Sequence, residues 1–223
     1  ITVGAGMLME RATADDLQDH WSDEPASESL HSELSNVTTE QRAARYGQQP
    51  TTILLTGLAG AGKTTIAYAL ERRLFELGRA VTVLDGQNMR LGISRDLGFT
   101  AEDRSENLRR SAEVAKLMND AGLIAICAFV APSEEVRKKA SAVVGADRFL
   151  VVHLSAPVHV CRQRDQEGLY GAADAGEIAN FPGVSFDYEE PTAADIVLPT
   201  HELDVETCVE QLVNLLTEKG NLG

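Results

Sequence analysis

From Thr51 onward the apolar residues fall into short runs of strand length at 53–55, 81–84, 124–128, 149–154 and 196–198. Longer stretches with helical spacing lie between most of them, at about 63–77, 100–121, 133–144, 157–164 and 204–218. Thr100 with Asp103 has the spacing of a capping box, and Ser133 after Pro132 reads as a helix start. Strand alternating with helix predicts an α/β fold, a parallel sheet covered by helices on both faces. Residues 165–192 interrupt this rhythm with several glycines, Pro182 and Pro191, and read as a mobile excursion.

The first fifty residues follow no such pattern. Residues 9–50 carry Asp15, Asp16, Asp19, Asp23, Glu24, Glu28 and Glu33 among few apolar residues, the composition of an acidic linker. Ahead of them, Ile1 to Leu8 form a short strand-like piece with no visible pairing partner. The reading is therefore a remnant of a preceding domain at 1–8, a linker at 9–50 and one folded domain at 51–223.

Charge narrows the function. A formal net charge of −14 over 223 residues argues against a surface built to attract nucleic acid or anionic lipid, both of which require a positive field. Any phosphate must be met by a local site. Cys127, Cys161 and Cys208 lack metal-ligand spacing, and no apolar run approaches the roughly 20 residues of a membrane span. A soluble, cytoplasmic protein is expected.

That local site is visible at Gly57-Leu58-Ala59-Gly60-Ala61-Gly62-Lys63-Thr64, between the first predicted strand and the first predicted helix. Phosphoryl transfer requires backbone N–H donors close to the phosphates, a cation and a metal-binding hydroxyl. The glycines admit the phosphates, and the helix beginning near Lys63, with Thr65 in its first turn, points its positive end at them. Lys63 is expected to reach the β- and γ-phosphates of ATP, and Thr64 to ligate Mg²⁺. The loop leaves the acceptor open, because GTPases, motor ATPases and small-molecule kinases share it. No Asn-Lys-x-Asp guanine signature occurs in 51–223, which favours a small kinase.

The acceptor side lies further on. Leu84-Asp85-Gly86-Gln87-Asn88-Met89-Arg90, Asp96-Leu97-Gly98-Phe99 and Asp103-Arg104-Ser105-Glu106-Asn107-Leu108-Arg109-Arg110 occur in order, followed by Asp120-Ala121-Gly122-Leu123-Ile124, Gly168-Leu169-Tyr170 and Asn180-Phe181. This ordered set, spanning about 38–218, resembles adenylylsulfate (APS) kinase. The resemblance implies a P-loop kinase that transfers the ATP γ-phosphoryl group to the 3′-hydroxyl of APS, giving PAPS, and works as a homodimer. It further implies that Arg90, Arg104 and Asn107 contact APS and that Phe99 and Phe181 sandwich its adenine. It makes 165–192 a lid, with Arg162 and Arg164 at its base facing ATP. Thr2-Val3-Gly4-Ala5-Gly6-Met7 is similar to the closing strand of a translation-factor-type GTPase domain, as found in the large subunit of ATP sulfurylase. Together these features suggest the kinase part of a bifunctional sulfate-activating protein.

Three departures from the family pattern cluster at the expected site. Gln87 stands where APS kinases typically carry the aspartate favoured as general base; glutamine orients a hydroxyl but takes no proton, leaving Asp85 as base or as Mg²⁺ ligand. Ala131 replaces the usual serine before Pro132. The lid segment Glu167 to Asp174 lacks the usual lysines and arginine. Two further readings therefore stay open: a catalytically weakened nucleotide-binding module that regulates or assembles a fused sulfurylase, and a kinase for another nucleotide-like acceptor.

Overall fold

The structure, a computed structural model, describes Trp21, Glu33 and residues 35–223. The segment 1–8 and, of the stretch 9–50 read as an acidic linker, residues 9–20, 22–32 and 34 lie outside the described residues.

Residues 33–223 form one unit around a five-stranded, wholly parallel sheet. Its strands are β1 (Thr52–Thr56), β2 (Val81–Asp85), β3 (Ile124–Ala128), β4 (Phe149–Leu154) and β5 (Ile196–Leu198), in the order β2-β3-β1-β4-β5. Every residue of β1 and β3 is buried, which explains why these central strands read as continuous apolar runs. The helices are α1 (Thr39–Tyr46), α2 (Lys63–Glu76), α3 (Gly86–Arg90), α4 (Ala101–Asp120), α5 (Glu134–Val144), α6 (Val158–Arg164), α7 (Leu169–Asp174) and α8 (Val205–Glu218).

Strand alternation sorts the helices. Ile53 and Leu55 share one core cluster with Ile66, Leu70 and Leu74 of α2 and Leu212 and Leu216 of α8. Thr52 points the other way, and its hydroxyl donates to Asn119 Oδ1 of α4 at 2.8 Å. Helix α4 packs in turn against α5. Among the described residues, no helix is long and apolar enough to cross a membrane.

The strand and helix positions expected from Thr51 onward agree with the structure to within one or two residues. Among the described residues, three α-helices fall outside the expected positions, α1, α3 and α7, each eight residues or shorter. Helix α1 falls inside the stretch read as linker. Thr38 and Gln41 close a capping box at its start, and Gly47 ends it at φ 63°. Gln48 then donates to Ala80 O at 2.8 Å and Gly122 O at 2.9 Å and accepts from Ala80 N at 2.9 Å. A buried amide satisfied on both ends clamps the segments leading into β2 and β3, so the folded unit begins well before Thr51. Helix α7 gives the 165–192 excursion an ordered core.

Candidate active site

The sheet delivers the site by ending its strands at one edge, the usual place for ligands in open parallel sheets. Beyond the ends of β1, β2 and β3 lies a cavity of about 890 Å³, lined by the phosphate loop, Asp85 to Gln87, Phe129 to Ala131 and part of the 165–192 segment expected as a lid.

The phosphate loop connects β1 to α2. A Cβ at Gly57 would stand 2.7 Å from Leu154 O, and one at Gly60 would stand 2.7 Å from Cys161 O, so neighbouring backbone makes glycine obligatory at both positions. Lys63 Nζ donates to Gly57 O at 3.0 Å and Leu58 O at 2.7 Å, folded back over the loop. Burial pushes its ammonium pKa down to about 8, with the charge of Asp85 opposing the shift.

Thr64 Oγ1 donates to Asp85 Oδ2 at 2.8 Å. The other carboxylate oxygen, Oδ1, caps α3 by accepting from Gln87 N at 2.9 Å and Asn88 N at 3.3 Å. One hydroxyl and one carboxylate side by side fit Mg²⁺, which takes few protein oxygens and completes its shell with water and substrate phosphates. No cluster of three or more His, Cys, Asp or Glu suited to a metal occurs among the described residues.

On the α3 and α4 side, Arg90 lies 4.6 Å and Arg104 5.4 Å from the centre of the Phe99 ring, which is itself 54% exposed. The two guanidinium groups bond to backbone carbonyls: Arg90 Nε to Gly98 O at 2.9 Å, Arg90 Nη1 to Gly86 O at 3.0 Å and Arg104 Nε to Phe99 O at 3.0 Å. Burial, reinforced by the charge of Arg90, pushes Arg104 down to about 10, and burial lowers Arg90 as well. Two half-buried cations that repel one another form a site prepared for an anion. Asn107 donates to Gly86 O at 3.2 Å, while its Oδ1 is buried with no hydrogen-bond partner.

The lid residues divide. Phe181 is 5% exposed and packs edge-on against Tyr170 at 4.9 Å, yet both line the cavity. Tyr170 Oη donates to Ala59 O at 2.8 Å, fastening α7 to the phosphate loop. Arg164 lines the cavity and donates to Thr200 O at 2.7 Å. Arg162 does not line it: it forks onto Asp174 at 2.5 and 3.0 Å and lies 5.1 Å from the Tyr170 ring centre. Of the acidic positions in 165–192, Asp165 and Glu167 line the cavity. Gln87 lies on the wall between Asp85 and Arg90.

Sequence reasoning missed the far wall: Thr200, Leu203, Asp204, Val205 and Cys208. Thr200 Oγ1 donates to Ala61 O at 2.9 Å, seating this wall on the phosphate loop. Asp204 caps α8 through Thr207 N at 2.7 Å, a start signal visible in the sequence, but nothing local announces that this helix start borders the cavity.

A family model described as adenylylsulphate kinase matches residues 49–199. The chain is 52% identical over 219 residues to the bifunctional enzyme CysN/CysC of Rhodopirellula baltica, covering 98% of this chain and 34% of that protein. It is also 52% identical over 181 residues to the adenylyl-sulfate kinase of Shewanella baltica (strain OS185), covering 81% of this chain and 88% of that protein. Among solved structures, the Mycobacterium tuberculosis APS kinase CysC in complex with AMPPNP and APS superposes with a TM-score of 0.72 at 38% identity. That superposition covers 76% of this chain and 99% of the other. With the phosphate loop, the paired arginines and the lid sharing one cavity, and with matches of this extent, the chain belongs to the adenylylsulfate kinase family.

Proposed function

We propose that this domain transfers the γ-phosphoryl group of ATP to the 3′-hydroxyl of adenylylsulfate, giving PAPS and ADP. The observation that carries this reading is one cavity with a phosphate loop on one wall and Arg90, Phe99, Arg104 and Asn107 on another. In this reading the loop amides and Lys63 hold the β- and γ-phosphates. Thr64 and Asp85 would hold Mg²⁺, which would supply charge neutralisation when bound. Arg90 and Arg104 take the phosphosulfate anion, and Phe99 offers an exposed ring face to the adenine. Phe181 joins it once the lid rearranges around substrate. Arg164 serves the nucleotide; Arg162 supports the lid.

Asp85 Oδ1 is taken up by the α3 amides and Oδ2 lies beside the Thr64 hydroxyl, so this reading gives Asp85 the helix cap and, with Thr64, the metal rather than the acceptor proton. Gln87 orients the acceptor hydroxyl. A loose phosphoryl-transfer transition state demands little proton removal early, so the proton can leave late without a carboxylate beside the hydroxyl.

The match to the bifunctional relative extends well beyond residues 49–199, which supports placing this kinase next to a sulfate adenylyltransferase domain in one protein.

Thermal-shift titration tests the acceptor. APS at a hundred times its Kd should stabilise the protein by about 2.7 kcal/mol. Equal stabilisation by nucleotides lacking the sulfate would count against APS.

A further inference from the structure

Arg137, in α5, is a guanidinium only 2% exposed. It donates from Nη1 to Ala131 O at 2.6 Å, from Nη2 to Glu189 O at 2.7 Å, and from Nη2 at 2.7 Å and Nε at 3.2 Å to Glu134 Oε2. Burying an arginine costs stability unless its donors are paired; two of these bonds form an ion pair with Glu134, and the other two hold loop carbonyls, which points to a geometric purpose.

One of those carbonyls belongs to a residue held in an unfavourable conformation. Ala131 has φ 42°, in the left-handed region that is unfavourable for a side-chain-bearing residue. Such residues persist where their surroundings over-determine them. Ala131 also lines the active-site cavity together with Phe129 and Val130, and a Cβ on Gly86 would meet the Phe129 ring at 3.1 Å. The 129–131 segment is thus the wall behind the helix that carries Gln87 and Arg90.

The second carbonyl belongs to the strap at 186–192 that leads out of the lid. Glu189 N donates to Pro132 O at 2.9 Å, and the Glu189 carboxylate accepts from Glu134 N at 2.6 Å, capping α5 where the Ser133 side chain does not. Thr192 Oγ1 donates to Glu134 Oε1 at 2.9 Å. Thr56 Oγ1, at the end of β1, donates to Val130 O at 2.6 Å and receives the Tyr188 hydroxyl at 3.1 Å. Wall, strap and phosphate-loop root therefore meet around Arg137.

We propose that Arg137 is a positioning residue for the acceptor half of the site: it pins Ala131 in its left-handed conformation and ties the lid's trailing strap to the same wall. The proposal rests on the acceptor reading given above.

The test uses the intact chain and four forms: wild type, Arg137→Lys, Ala131→Gly and the double variant. Lysine keeps the charge but loses the fork. Arg137→Lys is expected to raise KM for APS about tenfold, the scale of one lost charged hydrogen bond, while KM for ATP stays within about twofold. Glycine adopts positive φ freely, so Ala131→Gly should return most of the APS KM when added to Arg137→Lys, measured against Ala131→Gly alone. In substrate-free protein, Arg137→Lys should also speed hydrogen exchange at 186–192 and leave α2 unchanged. Both KM values rising together with no recovery by Ala131→Gly would make Arg137 a plain stabiliser of the core and overturn the proposal. Should Arg137→Lys fail to fold, Glu189→Ala on the exposed strap takes its place, with the same split between APS and ATP expected and its absence overturning the idea. If the wild type makes no PAPS, the proposed reaction fails; strap exchange then still decides the tie, unchanged rates in Arg137→Lys counting against it.

Discussion

The Thr64 hydroxyl donates to Asp85 Oδ2 at 2.8 Å, and this contact joins the two halves of the site. Thr64 sits in the first turn of α2, which leaves the phosphate loop; Asp85 ends β2 and starts α3, which carries Gln87 and Arg90. Strand β3 separates β1 from β2 in the sheet, so only the tertiary fold brings these residues together.

Asp85→Asn should therefore damage metal use more than folding. We expect kcat/KM to fall about a hundredfold, the scale of losing one preorganised charge-stabilising group. The Mg²⁺ concentration for half-maximal rate should rise. A Mg²⁺ titration of both proteins checks this, and an unchanged midpoint would remove Asp85 from the metal site.

Lys63 predicts the pH dependence of nucleotide binding. Its folded pKa is lowered to about 8 by burial, and only the ammonium form attracts phosphate. Nucleotide-free protein loses that proton as pH rises through about 8, so ATP affinity should be flat below this point. Above it, affinity should fall by up to about tenfold per unit. Lys63→Arg should abolish the break, because arginine stays protonated throughout. Calorimetric Kd values between neutral and alkaline pH make the comparison.

The two arginines of α6 should behave differently. Arg164→Ala should raise KM for ATP by about tenfold, as expected for a lost charge-assisted contact. Arg162→Ala should leave it within about twofold, since its partners are Asp174 and the Tyr170 ring. Equal effects would show that Arg162 abandons Asp174 when nucleotide binds.

Gln87→Asp should raise kcat by about tenfold or more, because it places a proton acceptor beside the hydroxyl that glutamine can only orient. It should also introduce an acidic limb in the pH–rate profile that the wild type lacks. No change in rate or profile would mean that Gln87 does not meet the acceptor.

Much of this architecture was legible in the chain, for identifiable reasons. Buried strands such as Ile124–Ala128 are unbroken apolar runs, and the phosphate loop is contiguous, so both declare themselves locally. Helix α1 was missed despite its Thr38–Gln41 capping box because an acidic, apolar-poor context obscured eight residues of helix. The wall at Thr200 to Cys208 and the Arg137 network were illegible because their roles depend on partners distant in sequence, such as Ala61 O and Glu189 O. The diversion of Arg162 to Asp174 followed from α7, whose six residues fold within a glycine-rich stretch.

The central claim is tested most directly by incubating the wild-type chain with ATP, Mg²⁺ and APS and separating the nucleotide products. The account predicts PAPS and ADP formed in equal amounts, dependent on APS and Mg²⁺ and abolished by Lys63→Ala in a protein that still folds. ATP binding without PAPS above background would contradict it.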